Sequence, residues 1–257
     1  MFTSLIKRFL PQESQRALHD AVYRYLGLSY VLDSGVVIDV ESKTDWLVYN
    51  DVFFSGEYDE AILPLLQRHA AGATIVDLGC NTGFFTLRCL DILRRKKVGM
   101  KFNWVCVDGS AATLALFRKR VLETNRLAGQ VQLVNGLIGE RTGAAAFFES
   151  TNHGNNTRMA RSMETGRRYT ENKVKFVDLE TILPHGPITL IKCDIEGSEG
   201  DFVGNYGPLL ARTESLVFEF HEGHYVRQEL IEKVKILGFE HRTLRTRPGT
   251  SLEYFCR

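Results

Sequence analysis

Thr74-Ile-Val-Asp-Leu-Gly-Cys-Asn-Thr-Gly-Phe-Phe85 is the stretch whose reading decides the fold. The apolar run Ile75 to Leu78 has the composition of a buried strand, and Phe84, Phe85, Leu87, Leu90 and Leu93 continue at helical spacing. Between them, Gly79 and Gly83 allow a tight turn and a close backbone approach to a ligand. Strand, glycine turn and helix in this order present backbone amides to a nucleotide. The pattern Asp77-x-Gly-x-Asn-x-Gly83 lacks one glycine of the G-x-G-x-x-G fingerprint and puts an acid at the strand end. Such a site suits a cationic or hydroxyl-rich ligand better than a pyrophosphate.

Outward from this turn, strands and helices alternate. Strands are expected near residues 75–78, 104–107, 131–134, 190–193, 216–220, 239–243 and 252–256, with helices in most gaps. Alternation of this kind implies a doubly wound, mostly parallel sheet. The last two strands are separated only by Arg247-Pro-Gly-Thr250, too short for a crossover, so they are expected to pair antiparallel at the sheet's end. A helix is expected over residues 57–69 and another over residues 12–26, with Leu18, Val22, Tyr25 and Leu26 on one stripe. Residues 30–54 read as short strands at 36–38 and 46–49. Residues 1–56 are therefore expected to form a helix-and-strand cap, and residues 57–257 the ligand-binding domain.

A chain of 257 residues with 44% hydrophobic and 25% charged residues can bury a full core. Its net charge of +1 gives no global attraction to nucleic acid or anionic membrane. The five cysteines form no C-x-x-C pair, and most sit inside apolar segments as reduced core residues. Lys7 and Arg8 interrupt the apolar N-terminus, no cleavage site follows, and no stretch reaches the length of a membrane span. A cytoplasmic protein is expected.

Asp108 ends the second core strand, where a ribose held over the first turn would lie, and a carboxylate there accepts from both ribose hydroxyls. An acid capping the helix that begins at Ser110 is the competing reading. Asn135 and Gly136 close the third strand, near the position of an adenine edge. The second long motif, Leu190-Ile-Lys-Cys-Asp-Ile-Glu-Gly-Ser-Glu199, is a buried strand emerging into Asp194, Glu196 and Glu199. Lys192, Asp194 and, if the strand persists, Glu196 share one face at the carboxyl end of the sheet.

Together, Asp77-x-Gly-x-Asn-x-Gly83 and Lys192-x-Asp-x-Glu-Gly-x-Glu199 resemble the motifs of the FkbM family of S-adenosylmethionine-dependent methyltransferases. Gly56-Glu-Tyr-Asp59, Val177-Asp-Leu-Glu180 and the Glu-x-His that ends residues 216–221 agree with it, while Asp108-Gly109 stands where the family often has Glu-Pro. The resemblance implies the class I methyltransferase fold, a Rossmann-like seven-stranded sheet ending in an antiparallel hairpin. It also implies transfer of a methyl group from S-adenosylmethionine to a hydroxyl of a sugar, glycan precursor or natural product. The residues themselves would accept oxygen or nitrogen. Glu57, Tyr58, Asp77, Gly79, Cys80, Asn81, Gly83, Phe84, Asp108, Gly109, Ser110, Asn135, Gly136 and Asp194 are the expected cofactor contacts.

Asp194 and His221 end neighbouring strands, and either is a candidate base, with Glu196 beside them; histidine has the better ordinary pKa for the task. An oxygen cluster of Asp194, Glu196 and Glu222 would suit Mg²⁺, but spacing does not establish coordination and no metal is predicted. His221-Glu-Gly-His224 is not H-E-x-x-H, so zinc is not expected, and Glu222 and His224 are instead candidate substrate contacts. Residues 150–173 read as a long polar loop inserted in the domain, carrying Arg158, Arg161, Arg167, Arg168 and Lys173. It is either a solvated insertion or a lid gripping an anionic acceptor, with Asn152 and Arg158 as contacts. Nucleic acid is disfavoured because aromatics do not interleave with the basic residues. An RNA methyltransferase and a non-catalytic nucleotide-binding protein of the same fold are the alternatives.

Overall fold

The computed structural model describes residues 18, 21–23, 25–68, 73–97, 102–150, 156–158 and 169–257. Leu28–Val31 (β1) and Val37–Val40 (β2) form an antiparallel hairpin in which Leu28 faces Val40. Lys43–Tyr49 (α1) follows and runs into one wider helical turn at Asn50–Phe54. The strand expected at residues 46–49 is thus helical. Ser42 accepts the Asp45 amide as an N-cap, and Tyr49 stacks on Trp46 at 5.8 Å and on Phe53 at 5.4 Å, contacts that only helical spacing brings together.

The next elements are Asp59–Arg68 (α2), Thr74–Leu78 (β3), Phe84–Arg95 (α3), Asn103–Asp108 (β4), Ala111–Phe117 (α4) and Val131–Asn135 (β5). Ala144–Ser150 (β6) and Tyr169–Lys175 (β7) pair as a separate antiparallel ribbon, with Ala144 opposite Lys175 and Ser150 opposite Tyr169. The expected loop over residues 150–173 is therefore corrected at both described ends, which are ladder-bonded strands. Leu179–Ile182 (α5), Ile188–Cys193 (β8), Glu199–Asn205 (α6), Gly207–Ala211 (α7), Thr213–His221 (β9), Arg227–Ile236 (α8), Glu240–Arg247 (β10) and Thr250–Cys256 (β11) complete the order.

Seven strands form the central sheet in the order β10-β11-β9-β8-β3-β4-β5. β5, β4, β3, β8 and β9 are parallel, and β11 pairs antiparallel with both β9 and β10. This is the class I methyltransferase fold, with its C-terminal hairpin where the short turn after Arg247 placed it. Side chains alternate across the sheet. Ile75, Trp104, Cys106, Leu190, Val217 and Leu252 pack with α3 and the cap residues Val36, Ile38 and Val40, whereas Val76, Val105, Ile191, Leu216, Phe218 and Phe255 pack with α6, α7 and α8. Burial on both faces accounts for the continuous apolar runs that mark these strands.

On the first of these faces the apolar pattern breaks at the carboxyl edge. Asp77 lies beside Lys192 in register across β3 and β8, and Glu219 and His221 follow Val217 at two-residue spacing on β9. Strand order reverses at β3, which has β4 on one side and β8 on the other, and the crevice beyond such a reversal is where doubly wound sheets bind ligands.

Candidate functional site

The turn after β3 is built by mutual constraint. Gly79 and Cys80 donate amides to the Val107 carbonyl, and Asp194 donates to the Leu78 carbonyl, so three strand ends are stitched together. Gly79 has φ +70°, and a Cβ there would stand 1.7 Å from the Asp194 carbonyl oxygen, which admits no side chain. Asp108 closes the turn from the other side. Its Oδ2 accepts the Asn81 amide at 2.9 Å and its Oδ1 accepts the Ser110 amide at 2.8 Å. Burial raises its pKa to about 6 even against these two hydrogen bonds.

Two cavities open beside this turn. Asp108, Gly109, Gly136, Leu137, Phe147 and Arg158 are among the residues lining the first. The second is walled by Glu57, Tyr58, Cys80, Phe84, Phe85, Lys192, Glu219, His221, Arg245 and Arg247, and on the cap side by Thr44, Val48, Asp51 and Val52. Gly79, Asn81, Asp194 and Glu196 line both, so the cavities meet across a shared wall. Asn81 Oδ1 is buried there with no hydrogen-bond partner among the described residues.

His221 sits among carboxylates. Its Nδ1 is 3.2 Å from Glu199 Oε1, and its Nε2 is 3.5 Å from Glu196 Oε2 and 3.8 Å from Asp194 Oδ1. Burial disfavours the imidazolium, but the hydrogen bond to Glu199 and the charges of Glu196, Glu199 and Asp194 outweigh it and raise the pKa to about 10. The ring therefore holds its proton at neutral pH, contrary to the expectation that its ordinary pKa suits it to act as a base. Burial raises Glu196 to about 8, with His221 opposing and Asp194, Glu199 and Glu219 reinforcing the shift. Burial likewise raises Glu57 to about 7 against the nearby Arg245 guanidinium. Lys192 stays charged despite burial because Asp77 and Asp194 stand 3.3 and 3.6 Å from its Nζ, which donates to the Gly79 carbonyl at 2.8 Å.

The expected contacts separate by position. Gly79, Asn81, Asp108, Gly109, Gly136 and Asp194 line the first cavity; Glu57, Tyr58, Cys80 and Phe84 line the second. Asp77 lines neither and is fully buried, its charge matched by Lys192. Gly83 is also absent from both: a Cβ there would strike the Phe117 ring at 2.6 Å, so this glycine serves helix packing. Ser110 caps α4, and Asn135 donates its side-chain amide to the Asp108 and Gly109 carbonyls, positioning the wall without lining it.

Arg158 reaches the first cavity rather than the second, and it is tied to Ser198 and Asp201, so its charge is already matched. Glu222 is exposed and lines neither cavity; the trio around the shared wall is completed by His221, not by Glu222. His224 packs against Gly197 and lines neither cavity. Asn152 lies outside the described residues.

Glu219, Arg245, Arg247 and the cap residues were not expected in the site. Glu219 was within reach of sequence reading, because it lies two residues before His221 on one strand. Arg245 needed the hairpin register, which sets it opposite Leu252, itself opposite Glu219.

No protein-family model and no curated protein sequence matches the chain. Among solved structures it is similar to the delta-N METTL16 MTase domain, at 14% identity and TM-score 0.47 over 95% of this chain and 96% of that one. It is also similar to the magnesium protoporphyrin IX methyltransferase ChlM from Synechocystis PCC 6803 with bound SAM, at 13% identity and TM-score 0.44 over 82% and 83%. A third likeness is to precorrin-6y C5,15-methyltransferase from Geobacter metallireducens GS-15, at 9% identity and TM-score 0.46 over 78% and 88%.

Proposed function

We propose that this chain is an S-adenosylmethionine-dependent methyltransferase of the FkbM type, acting on a hydroxyl of a sugar, glycan precursor or natural product. The observation that carries this reading is the pair of cavities sharing the wall of Gly79, Asn81, Asp194 and Glu196. Transfer between two ligands needs two compartments in contact, with the reacting atoms held in line at their junction.

The residues present fit the cofactor. Asp108 retains acceptor capacity for ribose hydroxyls beyond its two amide bonds, and the unpartnered Asn81 Oδ1 offers a further acceptor at the junction. Leu137 and Phe147 supply apolar surface for a base. S-adenosylmethionine, when bound, supplies a methyl group on a sulfonium, and an attacking oxygen that loses its proton takes that methyl while the neutral thioether departs.

The second cavity supports a hydroxyl-rich acceptor. Its walls combine carboxylates with guanidinium groups already engaged, Arg245 with Glu57 and Glu219 and Arg247 with Asp51. Such a lining offers many hydrogen bonds and little net charge. Asp194 brings a carboxylate oxygen to the shared wall, where an acceptor proton must be removed, with the His221 ring 3.8 Å from its Oδ1.

Calorimetric titration with S-adenosylmethionine and with its demethylated product, beside NAD and an Asp108→Ala control, tests the reading. Micromolar binding of the first two, weakened in the control, is expected. Binding of NAD alone by folded protein would overturn it.

A further inference from the structure

We propose that Asp194, Glu196 and His221 form a binding site for a divalent cation of the Mn²⁺ or Fe²⁺ kind, set at the junction of the two cavities. What the cation does there rests on the methyltransferase reading; that it binds does not.

Each of the three residues offers one ligand atom, and the atoms lie within 4.8 Å of one another. The edges from His221 Nε2 are 3.5 Å to Glu196 Oε2 and 3.8 Å to Asp194 Oδ1. Ligands held about 2.1 Å from one ion stand about 3 Å apart when adjacent and about 4.2 Å apart when opposed. The observed triangle needs only small side-chain adjustments to close on an ion.

The ligands are aimed from behind. His221 Nδ1 faces Glu199 Oε1, and Glu199 is fully buried. Its Oε1 accepts the amides of Ile195 and Gly197 at 3.1 and 3.2 Å, and its Oε2 accepts the Tyr225 hydroxyl at 2.9 Å. A carboxylate so fixed keeps a proton on Nδ1 and directs Nε2 toward an ion, the arrangement that orients metal-binding histidines. Asp194 is fixed in the same way by Lys192 at Oδ2, leaving Oδ1 toward His221. Binding of an ion displaces the Nε2 proton to solvent.

Charge also favours a cation. Arg245 is shared by Glu57 and Glu219, Arg247 is taken by Asp51, and Lys192 is shared by Asp77 and Asp194. Among the described residues Glu196 has His221 as its ion-pair partner. Two carboxylate oxygens and an imidazole nitrogen match Mn²⁺ or Fe²⁺ better than Mg²⁺, which favours oxygen ligands. Three protein ligands leave open positions, and all three residues line the second cavity, so an acceptor oxygen entering it could reach the ion.

The test uses the full chain, stripped of metal and titrated with MnCl₂ while the electron paramagnetic resonance signal of free Mn²⁺ is followed. Saturable uptake of one Mn²⁺ per chain is expected, with nitrogen coupling from an imidazole in the bound spectrum. Glu196→Gln and His221→Gln, each checked for folding by circular dichroism, should weaken uptake about tenfold or more, while the exposed Glu232→Gln on α8 should not. No saturable uptake, or no imidazole coupling in the wild-type chain, overturns the proposal even if a variant fails to fold. Equal uptake by folded variants overturns it too. S-adenosylmethionine binding measured on the same metal-free samples separates the two readings: cofactor binding without Mn²⁺ uptake leaves the methyltransferase and removes the cation site, and the reverse removes the methyltransferase and leaves the cation site.

Discussion

Asn81 combines left-handed backbone, at φ +47°, with a buried side-chain oxygen that finds no hydrogen-bond partner among the described residues. Both features cost stability in the unliganded chain, about 1 kcal/mol or more each. Glycine adopts the same backbone without that cost. Asn81→Gly should therefore leave the melting temperature unchanged or raise it, while S-adenosylmethionine affinity by calorimetry falls about tenfold, the worth of one buried hydrogen bond. A parallel fall in both would mean that the side chain serves the turn and not the ligand.

Glu57 gives a pH signature at the same scale. With its pKa raised by burial to about 7, the folded chain binds a proton that the unfolded chain releases near the usual carboxylate value of 4.5. The sign follows from that difference: Glu57 favours the folded state at low pH and loses this advantage as pH rises from about 4.5 through 7. Glu57→Gln should flatten that slope in urea melts between pH 5 and pH 8, leaving the variant relatively more stable at the upper end. An unchanged slope would place the titration elsewhere. Asp77 shows the limit of sequence reading here: the motif placed an acid at the strand end, but only cross-strand register shows Lys192 beside it, so a structural ion pair reads as a ligand contact.

Among the elements, the β10–β11 hairpin carries its own buried charge. Glu253 on β11 is fully buried and takes hydrogen bonds from Arg227 on α8, His241 and Thr243 on β10, and its neighbour Ser251; burial is outweighed and its pKa lies below the usual value. The stabilisation is present above the unfolded pKa and is lost as pH falls through the folded one. Glu253→Ala removes the acceptor shared by Arg227, His241 and Thr243 and should cost about 1 to 3 kcal/mol in denaturant unfolding at pH 7, with a smaller deficit in acid. A deficit independent of pH would assign the loss to packing alone.

Element type was legible where apolar runs are buried on both faces, as in β3, β4, β8 and β9. It was not legible for α1, whose Trp46, Leu47, Val48 and Tyr49 have strand-like composition and are helical through the Ser42 cap and the ring stack. Nor was the β6–β7 ribbon visible, since the burial pattern of β7 is mostly exposed and its alternation is weak.

For the whole molecule, the question is how the cap is attached. Arg120, in the wider helical turn Arg118–Glu123 that follows α4, donates to the Asp39 carbonyl and pairs with Asp45 at 3.0 Å, Arg120 and Asp45 both being buried. Asn125 adds two hydrogen bonds to the backbone of Val37. Removing one partner of a buried pair costs about 3 to 5 kcal/mol. Arg120→Met should loosen the cap first: hydrogen exchange in β1 and β2 should quicken before that of β3 and β8. If the function is as proposed, KM for the acceptor should rise while S-adenosylmethionine binding changes little, because cap residues wall only the second cavity. Equal loss of both would show the two cavities to be one cooperative unit. No helix among the described residues is long and apolar enough to cross a membrane.

The division of the second cavity between cap and sheet edge has an evolutionary corollary. Thr44, Val48, Asp51 and Val52 come from a segment before the first core strand, whereas Asp194 and Glu196 lie in the turn directly after β8 and His221 is the last residue of β9. If the function is as proposed, changes of acceptor could accumulate in the former without retuning the latter. A lineage built on this plan could then change its acceptor by exchanging one short preface to an otherwise constant site.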